Sequence, residues 1–279
     1  MTPRKLPTFT GPNLTGKLQL NFHEVLARRD IEVVRIEDIT PRYRRITFGG
    51  DDLATGFPLV RFAPLDHVKL YFPDPETGEI VSYRQVGDDW ELFGGPGESI
   101  RRDYTPRAWD ASAAELSIDF VLHGHGIAGS WATDARLGDR LVAMGPSANW
   151  FLPENYSRYI LVGDETALPA ISRIIEEAPA HSRITAVIEI ADAGEEQVLS
   201  PASDLDLHWV HRDAGLVDSE QPSGLEAALR SIPLPDDRGD VFVFGAGEVE
   251  RMRPIRRDLR TELGLPDGQV VINGYWRRG

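Results

Sequence analysis

With 279 residues, 41% of them hydrophobic and 27% charged, the chain has room for two domains that each bury a core, and the disordered and fibrous classes are excluded. It contains no cysteine, which removes disulfides, thiolate metal sites and thiol nucleophiles and points to a cytoplasmic protein. A net charge of −14 repels phosphate polymers, so neither nucleic acid nor membrane is expected as a partner, and an anionic ligand needs a local basic pocket.

In chain order, residues 1–30 read as a polar lead-in without the apolar stretch of a signal peptide. It ends in a short helix over NFHEVLARR, where Phe22, Val25 and Leu26 fall at helical spacing. From Ile31 the pattern turns to short β-rich runs, IEVVRIEDI, YRRITFGG, HVKLYF, WELFG, LSIDFVLH and DRLVAMG. Turn clusters such as PDPETGE and FGGPGES separate them, which suggests an antiparallel barrel or sandwich. Beyond Pro153 the grammar changes again. RYILVGD, ITAVIEIAD, LHWVHRD, DVFVFGAG and VVINGYW read as strands, and TALPAISRIIEEAP, GLEAALRSI and VERMRPIRRDLRTELG as helices. Such alternation implies a parallel sheet with helical crossovers. The expected organisation is an N-terminal extension over 1–30, an antiparallel β-barrel domain over 31–154 and an α/β domain over 155–279. No run approaches the ~20 apolar residues that cross a bilayer.

Two stretches of the β domain carry chemistry. In RRDYTPR, Arg102 and Tyr104 share a strand face while Asp103 points oppositely. Arg102 offers a guanidinium fork to a phosphate, Tyr104 a flat ring to an isoalloxazine. Pro106 holds Thr105 extended, leaving its hydroxyl and N–H at the strand end. In IDFVLHGHGIAGSWA, a strand leads through Gly124, Gly126 and Gly129 into a helix expected to start near Ser130. The amides of such a helix start, approached closely at the glycines, suit a pyrophosphate, and Ser130 is the expected cap. A metal site at His123 and His125 is not expected, since the pair has no carboxylate beside it and sits in a glycine turn.

An all-β domain followed by a nucleotide-binding α/β domain is the plan of the ferredoxin reductase-like flavoenzymes. Together, RRDYTPR, IDFVLHGHGIAGSWA, GDETALPAI, VFVFGAGEVERMRPIRR and the terminal GYWRRG make the chain resemble the siderophore-interacting protein family from about residue 31 onward. Members of that family are FAD-dependent ferric-siderophore reductases. The resemblance implies that Arg102, Tyr104 and Thr105 bind FAD, with His123, Gly126, Gly129, Ser130 and Trp131 around its pyrophosphate. It also implies that Gly163, Asp164, Glu165 and Thr166 stand where other folds have a glycine-rich phosphate loop, and that Gly245, Gly247 and Glu248 lie at a ligand-bearing strand end. Trp276, or Tyr275, would cover the flavin face that receives hydride; Trp276 as an anchor for the tail is the other reading.

The function so implied is electron transfer from NADPH or NADH through FAD to a ferric siderophore, with no protein acid, base or nucleophile. Many ferric catecholates are anionic, so a positive mouth is expected at Lys69, where the family carries a lysine, and Arg277, joined by Arg107 and Arg278. Asp192 suits the ribose 2′-hydroxyl of NADH and Arg212 the 2′-phosphate of NADPH, with family resemblance favouring NADPH. A monomer is expected. The alternatives are another NAD(P)H–flavin oxidoreductase of the same fold and a non-catalytic iron-chelate-binding protein.

Overall fold

The computed structural model describes residues 11–24, 26–87, 89–123, 126–212, 224–234 and 237–278. Gly124 and His125 of the glycine-rich turn, Asp213 of the strand expected over LHWVHRD and Val25 of the expected lead-in helix lie outside the described residues. The chain separates into two compact units, Leu20–Trp150 and Phe151 onward, the latter including the segment that ends at Gln19.

The first unit is built on a seven-stranded sheet of β2 (Arg28–Thr40), β3 (Tyr43–Gly49), β4 (Val68–Tyr71), β7 (Arg101–Tyr104), β8 (Pro106–Asp110), β9 (Glu115–Val121) and β10 (Arg140–Met144). Its order is β7-β4-β10-β2-β3-β9-β8, and every pairing is antiparallel. The two edge strands, β7 and β8, follow one another across the single residue Thr105. A sheet whose edges are one residue apart must curl on itself, which gives the half-barrel that the short β-rich runs suggested. Alternating residues supply the core inside the curl, among them Ile46 and Phe48, Val68 and Leu70, and Leu116, Ile118 and Phe120. On the other face of β9, Asp119 is buried under Arg45 at 2.6 Å and Arg107 at 3.8 Å. A separate hairpin, β5 (Ser82–Val86) with β6 (Asp89–Phe93), stands outside this sheet, and β1 (Gln19–Phe22) forms a ribbon with β11 (Ala148–Phe151).

Two local expectations are corrected. The lead-in over residues 21–29 is not helical: β1 runs through Phe22 and β2 begins at Arg28. Of the residues whose spacing suggested a helix, Phe22 on β1 is exposed, while Leu26 in the connection packs against Tyr71, Val142 and Met144. Helix α1 spans Ile127–Asp134 and starts three residues before the expected point, with Gly126 at its cap position and no side-chain cap. Ser130 therefore sits within the first turn, its N–H donating to the Gly126 carbonyl at 3.1 Å.

The second unit is a five-stranded parallel sheet of β12 (Arg158–Asp164), β13 (Arg183–Ile190), β14 (Asp204–His211), β15 (Val241–Glu248) and β16 (Val270–Trp276), in the order β14-β13-β12-β15-β16. Helices α2 (Leu168–Glu177), α3 (Gly224–Ser231) and α4 (Val249–Thr261) lie between strands in sequence. The order reverses between β12 and β15, and the crevice beyond the carboxyl ends of two such strands is where open α/β sheets take ligands. Those ends are Asp164 and Glu248.

Candidate functional site

In the first unit the register places Lys69 opposite Asp103, Leu70 opposite Arg102 and Val68 opposite Tyr104. Directly paired residues share a face, so Arg102 and Tyr104 lie on the side of buried Val68 and Leu70. Lys69 and Asp103 lie on the other side, where they form an ion pair of 2.8 Å. Tyr104 is half-buried against Phe120 at 4.6 Å and Phe72 at 6.4 Å between ring centroids. Burial pushes its phenol well above the usual tyrosine range, so it stays neutral. Thr105 is buried at the join of β7 and β8. Arg102 is exposed and bonds only its neighbour's carbonyl, Arg101 O, at 2.7 Å. Among the described residues no carboxylate pairs with it.

Trp131, on α1, packs inward on Phe48, Phe72 and Phe120. That fixes the helix against the curled sheet. His123 is exposed and lies beside the helix start: a Cβ on Gly129 would stand 3.0 Å from the His123 carbonyl and 3.1 Å from its ring. Gly126 has φ of 86°, the left-handed region that glycine adopts freely. The start of α1 thus presents amides without a side-chain cap, close to a glycine that admits near approach. With the unpaired guanidinium of Arg102, this donor set fits a dinucleotide such as FAD: cation and amides for the diphosphate, Tyr104 and Thr105 for the ring.

In the second unit the strand ends converge on Asp164. Its Oδ1 accepts from the amide of Thr166 at 2.9 Å and from the Thr166 hydroxyl, and its Oδ2 accepts from the amide of Glu248 at 2.9 Å and the indole N–H of Trp276 at 2.8 Å. Burial pushes Asp164 up to about 6, repulsion from Glu165 adds to this, and the bonds from Thr166 and Trp276 oppose it. Gly247 makes room for the carboxylate, since a Cβ there would stand 2.7 Å from Oδ2. Gly163 and Gly245 are needed for packing of neighbouring strands, their Cβ positions lying 2.6 Å from the Ala246 carbonyl and from Ile272. Glu248 caps α4 through the amide of Arg251 at 3.0 Å and accepts from the amide of Arg278 at 3.3 Å. The Thr166 amide, expected to face a phosphate, is thus held within the turn, and the exposed Trp276 is tethered to Asp164.

Beside this turn lies a charge cluster. Arg212 makes two bonds to Glu165, at 2.6 and 2.5 Å, and reaches Glu189 at 3.4 Å, while Arg251 meets Glu189 at 2.7 Å. Pairing with Glu165 and Glu189 outweighs the opposing burial and holds the Arg212 guanidinium charged. Glu189 and Arg251 escaped the sequence reading: a lone carboxylate inside the apolar run ITAVIEI was its only signal. Asp192 caps the turn at 193–195 through the Gly194 amide at 2.8 Å. Of the expected positive mouth, Arg107 is committed to Asp119, and Arg277 approaches Glu250 at 3.5 Å.

The fold is ferredoxin reductase-like, similar to that of the ferredoxin reductase in carbazole 1,9a-dioxygenase, 14% identical with a TM-score of 0.61 and 90% and 70% of the two chains covered. Within that class, the profile of the siderophore-interacting FAD-binding domain matches residues 32–150 and that of the siderophore-interacting protein matches residues 156–279. The chain belongs to the siderophore-interacting protein family. It is similar to the ferric vibriobactin reductase ViuB of Vibrio cholerae, 31% identical with 90% of each chain covered. It is also similar to the NADPH-dependent ferric-chelate reductase of Escherichia coli, 30% identical over 95% of this chain and 98% of that one. Among solved structures, a siderophore utilization protein from T. fusca is 43% identical, with a TM-score of 0.83 and 94% and 97% of the two chains covered.

Proposed function

We propose that the protein is a cytoplasmic, monomeric reductase that takes electrons from NADPH and delivers them to ferric siderophores, with FAD as resident cofactor. The observation that carries this reading is the exposed Arg102 guanidinium, which pairs with no carboxylate among the described residues, on the strand that leads to Tyr104 and Thr105, in the same unit as the uncapped start of α1. The names of the two curated relatives support the acceptor, and that of the Escherichia coli protein supports NADPH.

When bound, FAD supplies the exchange between the electron pair of a nicotinamide and the single electron that ferric iron accepts. The chain's own groups then have binding and orienting roles. Arg102 would neutralise diphosphate charge, the neutral ring of Tyr104 would offer its face to the flavin, and Thr105, fixed at the strand join, would offer its hydroxyl and amide to the ring. No acid, base or nucleophile is required. In the second unit Arg212 is the group for a 2′-phosphate, once Glu165 yields. Fe³⁺ prefers hard oxygen donors, and reduction lowers its hold on them, so electron delivery doubles as release. Lys69 is half-buried and Arg277 exposed, and among the described residues each is held only by an exposed carboxylate, Asp103 and Glu250 respectively. Such pairs are worth ~1 kcal/mol or less, so an anionic chelate can compete for both cations.

The test is the absorption spectrum of the purified chain. The expected result is a yellow protein that NADPH bleaches without oxygen and that a ferric siderophore re-oxidises. A colourless protein that does not oxidise NADPH overturns the proposal, and a yellow one indifferent to ferric chelates retains the flavin and removes the substrate. Lys69→Ala and Arg277→Ala are expected to keep FAD and raise KM for anionic chelates several-fold. Unchanged kinetics would remove both from the substrate site.

A further inference from the structure

At one end of the curled sheet of the first unit lies a cleft of about 380 Å³, lined in part by His23, Arg29, Thr55, Phe57, Pro58 and Pro146. Arg29, at the start of β2, is only 8% exposed. Its guanidinium lies over the Phe57 ring, 5.2 Å from the centroid, and its Nη1 donates to the carbonyls of Gly145 at 2.9 Å and Ala27 at 3.5 Å. Among the described residues no carboxylate forms an ion pair with it, and Nε and Nη2 have no protein acceptor. Asp52 acts on it from farther off and accepts instead from the amide of Asp30 at 2.8 Å. A buried guanidinium without a counter-charge is costly, and proteins keep one where an anion completes it. Burial accordingly pulls the Arg29 pKa down.

His23 supplies a second incomplete group, for its Nε2 is buried with no hydrogen-bond partner among the described residues. Burial lowers its pKa, a bond to Asn149 opposes that, and Arg29 adds to the lowering. Apart from Thr55, the remaining side chains of the wall are apolar. The free edge of one guanidinium matches the two oxygens of a planar carboxylate, whereas a phosphate dianion would leave oxygens unbonded against Phe57 and the prolines.

We propose that this cleft binds the carboxylate of a small organic acid, Arg29 holding the charge and Phe57 with the two prolines enclosing the apolar body. Its position gives the site two possible suppliers. Met144 pairs with Lys69, and Val68 with Tyr104. Gly145, on the cleft wall, therefore lies at the same sheet end as Thr105, two strands or about 10 Å away. The acid is either a free metabolite or, resting on the reductase reading above, a pendant arm of the chelate being reduced.

The experiment is equilibrium dialysis of the full FAD-loaded chain against radiolabelled benzoate. One saturable site is expected, weakened at least about tenfold by Arg29→Met and abolished by Ala27→Phe, which fills the cleft but keeps its charge. Inorganic phosphate should not compete. Absence of saturable binding, or binding that survives Ala27→Phe, overturns the proposal, and this second variant decides the matter if Arg29→Met does not fold. A second arm compares kcat/KM for a ferric trihydroxamate bearing a free carboxylate with its methyl ester. A preference for the acid that Ala27→Phe erases assigns the site to the chelate, and equal values with benzoate bound assign it to a free acid. Failure to reduce either chelate would count against the reductase reading alone, because the benzoate measurement needs no turnover.

Discussion

Arg102 in the first unit and Arg212 in the second stand at strand ends assigned to phosphate, yet they are held in opposite ways. Arg102 is exposed, with a neighbouring carbonyl as its hydrogen-bond acceptor. Arg212 is gripped at both ends of its fork by Glu165 and shares Glu189 with Arg251. An anion arriving at Arg102 displaces water, whereas one arriving at Arg212 must displace a carboxylate already in bidentate geometry. The first arrangement suits a ligand that stays and the second one that comes and goes, since the internal competitor subtracts from the affinity. That is the division of labour expected of a resident flavin and a visiting nicotinamide.

The largest effect should come from breaking the open side of this contrast. Arg102→Ala removes an exposed cation that no carboxylate among the described residues holds, and charge-assisted bonds of this kind are worth about 1.5–3 kcal/mol. FAD affinity is expected to fall ten- to a hundredfold, read from the fluorescence of flavin released on dilution, with the fold intact because Arg102 is exposed. A variant that holds FAD as tightly as the parent would show that the diphosphate is bound elsewhere.

What the sequence shows of this contrast differs between its halves. The half-barrel and the parallel sheet are both legible, because alternation with period two and buried apolar runs are local signals that strand pairing preserves. RRDYTPR is legible for the same reason, since its face assignment needs only the strand period and the fixed φ of Pro106. The helix over residues 21–29 misled because three apolar residues at helical spacing over so short a span carry no information about what lies opposite them. Ser130 misled because the glycines before α1 leave its start to be set by Trp131 packing on Phe48, Phe72 and Phe120. The clamp on Arg212 was not legible at all. It joins residues 165, 189, 212 and 251, which only the crossovers of a folded sheet bring together.

The closed side is also where acidity should tell. Asp164 is pushed up to about 6 by burial, with Glu165 adding, whereas an unfolded aspartate titrates near 3.9. Between roughly pH 4 and pH 6 the folded state holds a proton that the unfolded state has lost, so stability present below pH 4 falls as pH rises to 6. The difference amounts to about 3 kcal/mol. Urea unfolding followed across this range should show that decline in the parent and its loss in Asp164→Asn. The variant should be less stable throughout, because an amide offers one acceptor oxygen where Thr166, Glu248 and Trp276 need two. Parallel slopes in parent and variant would mean that Asp164 titrates normally.

The smallest effect sharpens the comparison most, because it tests the competitor and not the ligand. Glu165→Gln keeps the size of the side chain and one acceptor for Arg212 but removes the charge that holds the fork. If Glu165 competes with a 2′-phosphate, the variant should favour NADPH over NADH by a further three- to tenfold in kcat/KM, about 1 kcal/mol. Arg212→Ala should shift the ratio the other way. The effect stays small because Glu189 still engages Arg212 at 3.4 Å and is itself tied to Arg251, so freeing one carboxylate leaves the guanidinium partly held. A ratio unmoved in Glu165→Gln but reduced in Arg212→Ala would keep Arg212 as the phosphate group and discard the competition. A ratio unmoved in both would take the 2′-phosphate away from this cluster, and with it the reason for reading the two arginines as counterparts.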